Sequence, residues 1–215
     1  GLNSIDEIVV QAGRINLREI AITDHCQAYL DRIGMNKRTH YSILSSGRWK
    51  NIHNDVRVIF GVEADILNEA GDICDHIQGI RPDFVILSLH RNVYSGSPSA
   101  IRDSYLRAIR RYGDTIDILG HLCSRKISDH LDTEDILAIV AAANEAKIGL
   151  ELNCANLVNG KTCMGHLKTL LSACDSLYVN SDAHTLHELA LARREGFTYL
   201  ERHFHDSKEA LGDQR

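Results

Sequence analysis

Hydrophobic and polar positions alternate between two periods along this chain. Ile5, Ile8, Val9 and Ala12 recur at helical spacing, and Ser4 with Glu7 forms a capping-box pair that opens that helix. Glu19-Ile20-Ala21-Ile22-Thr23 follows, a short apolar run that reads as a buried strand. The alternation then repeats. Strand-like runs stand at Val56–Val62, Phe84–Leu89, Ile116–Leu119, Ile148–Leu152 and Leu177–Val179, and helical stretches at Ser104–Arg111, Glu134–Ala146 and Gly165–Ala173. Leu131-Asp132-Thr133-Glu134-Asp135 has the acids of a helix start, where carboxylates meet the positive end of the helix dipole.

Strand and helix in alternation imply an α/β fold of parallel strands covered by helices. Six strands without a Gly-rich phosphate loop fit a barrel better than a nucleotide-binding open sheet. Ile66–Asp75 breaks the rhythm with a turn at Asn68-Glu69-Ala70-Gly71-Asp72, so a small hairpin is expected there. No proline-rich or low-complexity linker divides the chain, and residues 1–215 read as a single domain. The residues after Glu201 are polar and read as a loose tail.

Charge and composition narrow the function. Acids outnumber bases 29 to 24 and the pI is near 6.2, which argues against gripping nucleic acid by bulk charge. No apolar run approaches the roughly 20 residues that span a bilayer, and no signal peptide precedes the first helix. The six cysteines form no C-x-x-C pair and mostly sit beside apolar runs, as reduced core thiols of a cytoplasmic protein do.

Twelve histidines are unusual for this length, and their positions matter more than their number. The first strand run ends in Thr23-Asp24-His25 and the second in Gly61-Val62-Glu63-Ala64-Asp65. The third ends in Ser88-Leu89-His90, the fourth in Gly120-His121 and the last in Ser181-Asp182-Ala183-His184. In a parallel barrel those ends share one face, where active sites are built. Imidazoles mixed with carboxylates suit zinc, manganese or iron. Such cations lower the pKa of a shared water and make hydroxide available at neutral pH. The other eight histidines, from His40 to His205 and including His187, fall in loops, helices or the tail and read as ordinary side chains. Cys26 and Cys123 stand close to candidate ligands but read as packing.

Taken in order, Ala21-Ile22-Thr23-Asp24-His25, Gly61-Val62-Glu63, Ser88-Leu89-His90, Leu119-Gly120-His121 and Ser181-Asp182-Ala183-His184 resemble the motifs of the PHP (polymerase and histidinol phosphatase) family. That family includes histidinol-phosphate phosphatases, nucleotide and nucleoside-bisphosphate phosphatases, and domains attached to bacterial DNA polymerases. The resemblance implies a distorted (β/α)7 TIM-like barrel holding two or three divalent metals. By the same resemblance, Glu63 bridges the first two metals, and His90 and His121 complete the second. Asp182 belongs to the first metal, and His25 and His184 hold the third. Glu63 and Asp182 are then the catalytic candidates, while Asp24 orients its neighbours. The family opens with a His-x-His strand and a Ser-Asp-Gly-like turn, and nothing here matches them. The expected barrel therefore lacks its first strand in this chain. An exposed edge of that kind favours pairing with a second copy, giving a homo-oligomer.

The implied activity is metal-dependent hydrolysis of a phosphate ester, a small phosphomonoester, by a metal-bridged hydroxide. A PHP-type nuclease or phosphodiesterase is the alternative within enzymes. A metal-binding domain without turnover is the alternative outside them. Arg91, next to His90, and Arg125, after the His121 strand end, are candidates for phosphate contact. The long Asp31–Asn54 connection, with Tyr41, Arg48 and Trp49, is a candidate for substrate choice.

Overall fold

The computed structural model describes residues 1–35 and 41–203. The chain opens with α1 (Ile5–Arg14), then β1 (Glu19–His25), α2 (Gln27–Arg32) and a 3-10 turn (Ser42–Ser45). Next come β2 (Arg57–Ile66), β3 (Ile73–Cys74), β4 (Phe84–Ser88), α3 (Pro98–Tyr112) and β5 (Ile118–Leu119). The second half runs α4 (Arg125–Ser128), α5 (Thr133–Glu145), β6 (Gly149–Asn153), α6 (Cys154–Val158), α7 (Met164–Ala173), β7 (Leu177–Asn180) and α8 (Leu186–His203).

Local chemistry accounts for the helix starts. Ser4 Oγ accepts the Glu7 N–H while Glu7 Oε2 accepts the Ser4 N–H at 2.8 Å, so two otherwise orphaned donors are satisfied together. Asp132 and Asp135 make the same reciprocal pair at the start of α5. α3 begins with Pro98 behind a Ser97 cap, where a missing N–H costs nothing. Val9 and Ala12, from the expected helical stripe of α1, are fully buried.

The sheet runs in the order β1-β2-β4-β5-β6-β7, all parallel, with β3 folded back antiparallel on β2 as the expected hairpin. It curls into a half-barrel and stays open: among the described residues neither β1 nor β7 pairs beyond its one neighbour. The start of the chain meets the segment that follows β7, where the Leu2 N–H donates to the His184 carbonyl at 3.0 Å. The larger core lies between β4–β7 and helices α3, α5, α7 and α8, with Leu87, Ile101, Tyr105, Leu119, Ile136, Ile139 and Leu150 almost wholly buried. A smaller core groups Cys26, Leu30, Ile43, Phe60, Val62 and Ile77 around β1 and β2. Register aligns the strand ends: His25 stands opposite Glu63, and Asn153 opposite Asn180. β2 reaches Ile66, four residues past the expected Val62, because its outer half pairs with both β3 and β4. α8 continues to His203, two residues past Glu201, and the rest of the expected tail lies outside the described residues.

Candidate metal centre

Three histidines from three strand ends surround one carboxylate. His25 Nδ1, at the end of β1, lies 2.8 Å from Glu63 Oε2. His121 Nε2, just past β5, lies 2.9 Å from Glu63 Oε1. His90 Nε2, just past β4, stands 3.7 Å from the same Oε1. Ser88 donates its hydroxyl to Oε1 at 2.8 Å and fixes the glutamate rotamer. The rings of His25 and His90 meet edge to face at 4.9 Å, and those of His90 and His121 at 5.0 Å. Tyr29 of α2 stacks on His25 with centroids 3.8 Å apart and touches the edge of His90.

The electrostatics follow from crowding titratable groups out of water. Burial pushes the Glu63 carboxyl up, but the hydrogen bond from His121 and the close His25 ring outweigh it and hold the group well below the usual carboxylate range. Burial pushes His121 down, but Glu63, aided by Glu151 and Asp182, draws it up to about 9. His25 is raised for the same reason, against its own burial.

Asp182 and His184 stand at the rim. Asp182 Oδ2 accepts the Asn153 amide at 3.0 Å, and His184 Nδ1 lies 3.1 Å from the Asp182 carbonyl with its side chain 61% exposed. Asp182 (φ 47°) and His121 (φ 29°) both have left-handed backbones, uncommon for residues with a Cβ and a known habit of functional sites. Asp24 points away from the cluster and accepts the Ser42 N–H at 2.7 Å, anchoring the first residue of the 3-10 turn. Arg91 is exposed, donates to Ser95 Oγ at 3.0 Å and contacts the His130 ring. Arg125 is exposed at the start of α4. His40 and His205 lie outside the described residues.

Several site residues were not singled out in the sequence. Asp65, fully buried, accepts both the backbone N–H of His90 (2.9 Å) and its Nδ1 (2.8 Å). Glu151 accepts the His121 N–H at 2.7 Å, and Asn153 joins Glu151 to Asp182. An acid inside the apolar Ile148–Leu152 run was the available signal, since a buried carboxylate demands partners. Tyr29 carried no signal. Tyr41 and Trp49 serve packing: Tyr41 is buried with its hydroxyl on the Met35 carbonyl, and Trp49 packs on Phe60 while donating to Asp6.

The cluster fits a cation. Nδ1 of His25 and Nδ1 of His121 are buried without a hydrogen-bond partner of acceptable geometry among the described residues. For His25 this holds although Glu63 is only 2.8 Å away, so proximity has been reached without a proper donor–acceptor alignment. Ligand atoms of His25, Glu63 and His90 all lie within 4.8 Å of one another, and imidazole with carboxylate is a donor set for first-row divalent metals.

A parallel α/β half-barrel with histidines gathered on a glutamate at its strand ends defines a fold class with a candidate metal site. The chain belongs to the PHP domain family, whose description matches residues 1–155. With the family goes its reaction class, a phosphoesterase-type hydrolase. Among curated proteins, the chain is 27% identical to a probable phosphatase of Pectobacterium atrosepticum and 25% identical to one of Serratia proteamaculans. Each alignment covers 93% of this chain and 78% of the relative. A solved histidinol phosphate phosphatase of Lactococcus lactis, complexed with zinc, L-histidinol and phosphate, superposes with a TM-score of 0.45 and 15% identity, over 91% of this chain and 88% of that one. No described helix is long and apolar enough to cross a membrane.

Proposed function

We propose that the chain hydrolyses a small phosphomonoester using two or three divalent cations, zinc, manganese or iron, held by His25, Glu63, His90, His121, Asp182 and His184. The observation that carries this reading is the single Glu63 carboxylate approached by imidazoles from three separate strand ends, two of them with an unpaired buried nitrogen. Divalent cations there would supply positive charge to the phosphoryl oxygens and lower the pKa of water.

The chain's own groups do the rest. Glu63 presents Oε2 toward His25 and Oε1 toward His90 and His121, so its two oxygens serve two separate ligand sets. Asp182, with Glu63, is the second catalytic candidate. Arg91 and Arg125 neutralise the outer phosphate charge, and the Ser95 contact gives the Arg91 fork a fixed direction. An acidic overall balance favours a small substrate over a polyanionic strand. Six free cysteines support a cytoplasmic place.

The test is phosphate release from a chromogenic monoester, with and without manganese, zinc or iron, beside cleavage of a labelled oligonucleotide. Metal-stimulated monoester turnover is expected. Cleavage of the oligonucleotide alone would move the reading to a nuclease, and metal binding without turnover of either would leave a binding domain.

A further inference from the structure

The site has a second buried carboxylate that the proposed ligand set does not use. Glu151 sits in the middle of β6 between Leu150 and Leu152, which are buried, and is itself only 5% exposed. A carboxylate in that position is costly unless every oxygen is met by donors. Here they are met from three directions. Oε2 accepts the His121 backbone N–H at 2.7 Å and the Asn153 amide at 3.1 Å, and Oε1 accepts the Asn180 amide at 2.9 Å.

Those partners are not arbitrary. The His121 N–H belongs to a residue with a left-handed backbone, and it donates to Glu151. The same Asn153 amide nitrogen donates to Asp182 Oδ2 at 3.0 Å, and Asp182 is also left-handed. Asn180 ends β7, two residues before Asp182. Glu151 and Asn153 thus join the two strained ligand positions, which come from different strands with β6 between them. Asn153 also caps α6, its Oδ1 accepting the Asn156 N–H at 2.9 Å, so its side chain is held from both ends.

We infer that Glu151, through Asn153, is a positioning residue that sets the placement of His121 relative to Asp182 before any cation binds. This rests on the metal-centre reading above. Groups that orient ligands from behind typically matter about 10- to 100-fold in metal affinity or activity.

The experiment uses the full chain and three variants. Glu151→Ala removes the acceptor. Glu151→Gln keeps one oxygen for the His121 N–H. Asn153→Ser keeps an oxygen for the α6 cap but removes the amide that spans Glu151 and Asp182. Zinc affinity is read by competition with a chromophoric chelator, and amide exchange at His121 is read without metal. Glu151→Ala is expected to bind zinc about 10- to 100-fold more weakly and to lose exchange protection at His121. Glu151→Gln should recover most of both. Asn153→Ser should weaken zinc while leaving His121 protected, and it carries the test if Glu151→Ala does not fold. Wild-type zinc affinity in Glu151→Ala, or in Asn153→Ser, would overturn the inference. Glu63→Ala separates the two readings: if that variant also keeps wild-type affinity, the metal centre itself is wrong, whereas its loss beside an unaffected Glu151→Ala removes only the positioning role.

Discussion

His121 Nε2 lies 2.9 Å from Glu63 Oε1 across 58 residues of sequence, and the two strands that carry them are separated in the sheet by β4. The glutamate therefore links neighbours that do not pair with each other. Removing it should release His25, His90 and His121 together. We expect Glu63→Ala to lower monoester hydrolysis at least about 100-fold and weaken zinc binding by a similar factor, more than the loss of a supporting group. Retention of both would show that the histidines act without their shared carboxylate.

The metal-free pair also sets a pH dependence. His121 is raised to about 9 from an ordinary 6.5, so its contribution to stability is complete below about 6.5 and is lost as pH rises through about 9. Glu63 is held below its ordinary 4.5, so its contribution is complete above that value and is lost as pH falls through the lower folded value. Metal-free chain should then melt at progressively lower temperature from pH 6.5 to 9.5. Zinc must displace the imidazole proton, so its affinity should rise over the same interval, with proton uptake by the buffer visible in calorimetry. A melting temperature flat between pH 6 and 9.5 would contradict the His121–Glu63 pairing.

The strand ends were legible because two simple periods mark the elements and a parallel sheet puts all its C-terminal ends on one face. That logic placed His25, Glu63, His90 and His121 together without any knowledge of contacts. It could not reveal the supporting groups. Asp65 and Glu151 lie within strands, where alternation reports burial but not which buried acid has found donors. The left-handed backbones at His121 and Asp182 leave no mark in sequence, because neither residue is a glycine. α4 and α6, of four and five residues, are too short to show a helical period.

Gly61 connects the fold to the centre. A Cβ there would stand 2.6 Å from Thr23 Cγ2 on β1 and 2.8 Å from the Phe84 carbonyl on β4. The backbone oxygen cannot rotate away, so Gly61→Ala must shift one strand. Overpacking of this kind costs about 1–3 kcal/mol, to be measured by urea unfolding. Because Gly61 lies two residues before Glu63 and opposite Thr23, weakened zinc binding should accompany it. An unchanged midpoint would mean that the strands part without cost.

Substrate contact and metal holding should separate kinetically at the rim. A charge-assisted contact contributes about 1.5–3 kcal/mol, so Arg91→Ala should raise KM for the monoester at least about tenfold while changing kcat less. His187, exposed on α8 and outside the cluster, should tolerate alanine within about twofold in either constant, as surface positions generally do. An Arg91→Ala effect confined to kcat would remove it from ground-state phosphate binding.

Asp65 offers the sharpest test of how His90 is aimed. Its Oδ1 takes both the His90 N–H and the Nδ1 proton, which fixes Nδ1 as the protonated nitrogen and leaves the Nε2 lone pair toward Glu63. Asp65→Asn keeps an acceptor oxygen in place but gives up the charge that favours this tautomer. Asp65→Ala gives up both and leaves the His90 N–H unmet. Zinc affinity should therefore fall in order, by about tenfold for Asn and about 100-fold for Ala, within the range known for groups that orient ligands. Thermal melting of the metal-free variants separates aim from packing. Asn is nearly isosteric and should melt close to wild type, whereas Ala also opens a cavity beside Cys26, whose Sγ lies 3.7 Å from Oδ2. If Asp65→Asn melts like wild type and binds zinc equally well, His90 is not oriented by Asp65, and its place beside Glu63 must come from β4 alone.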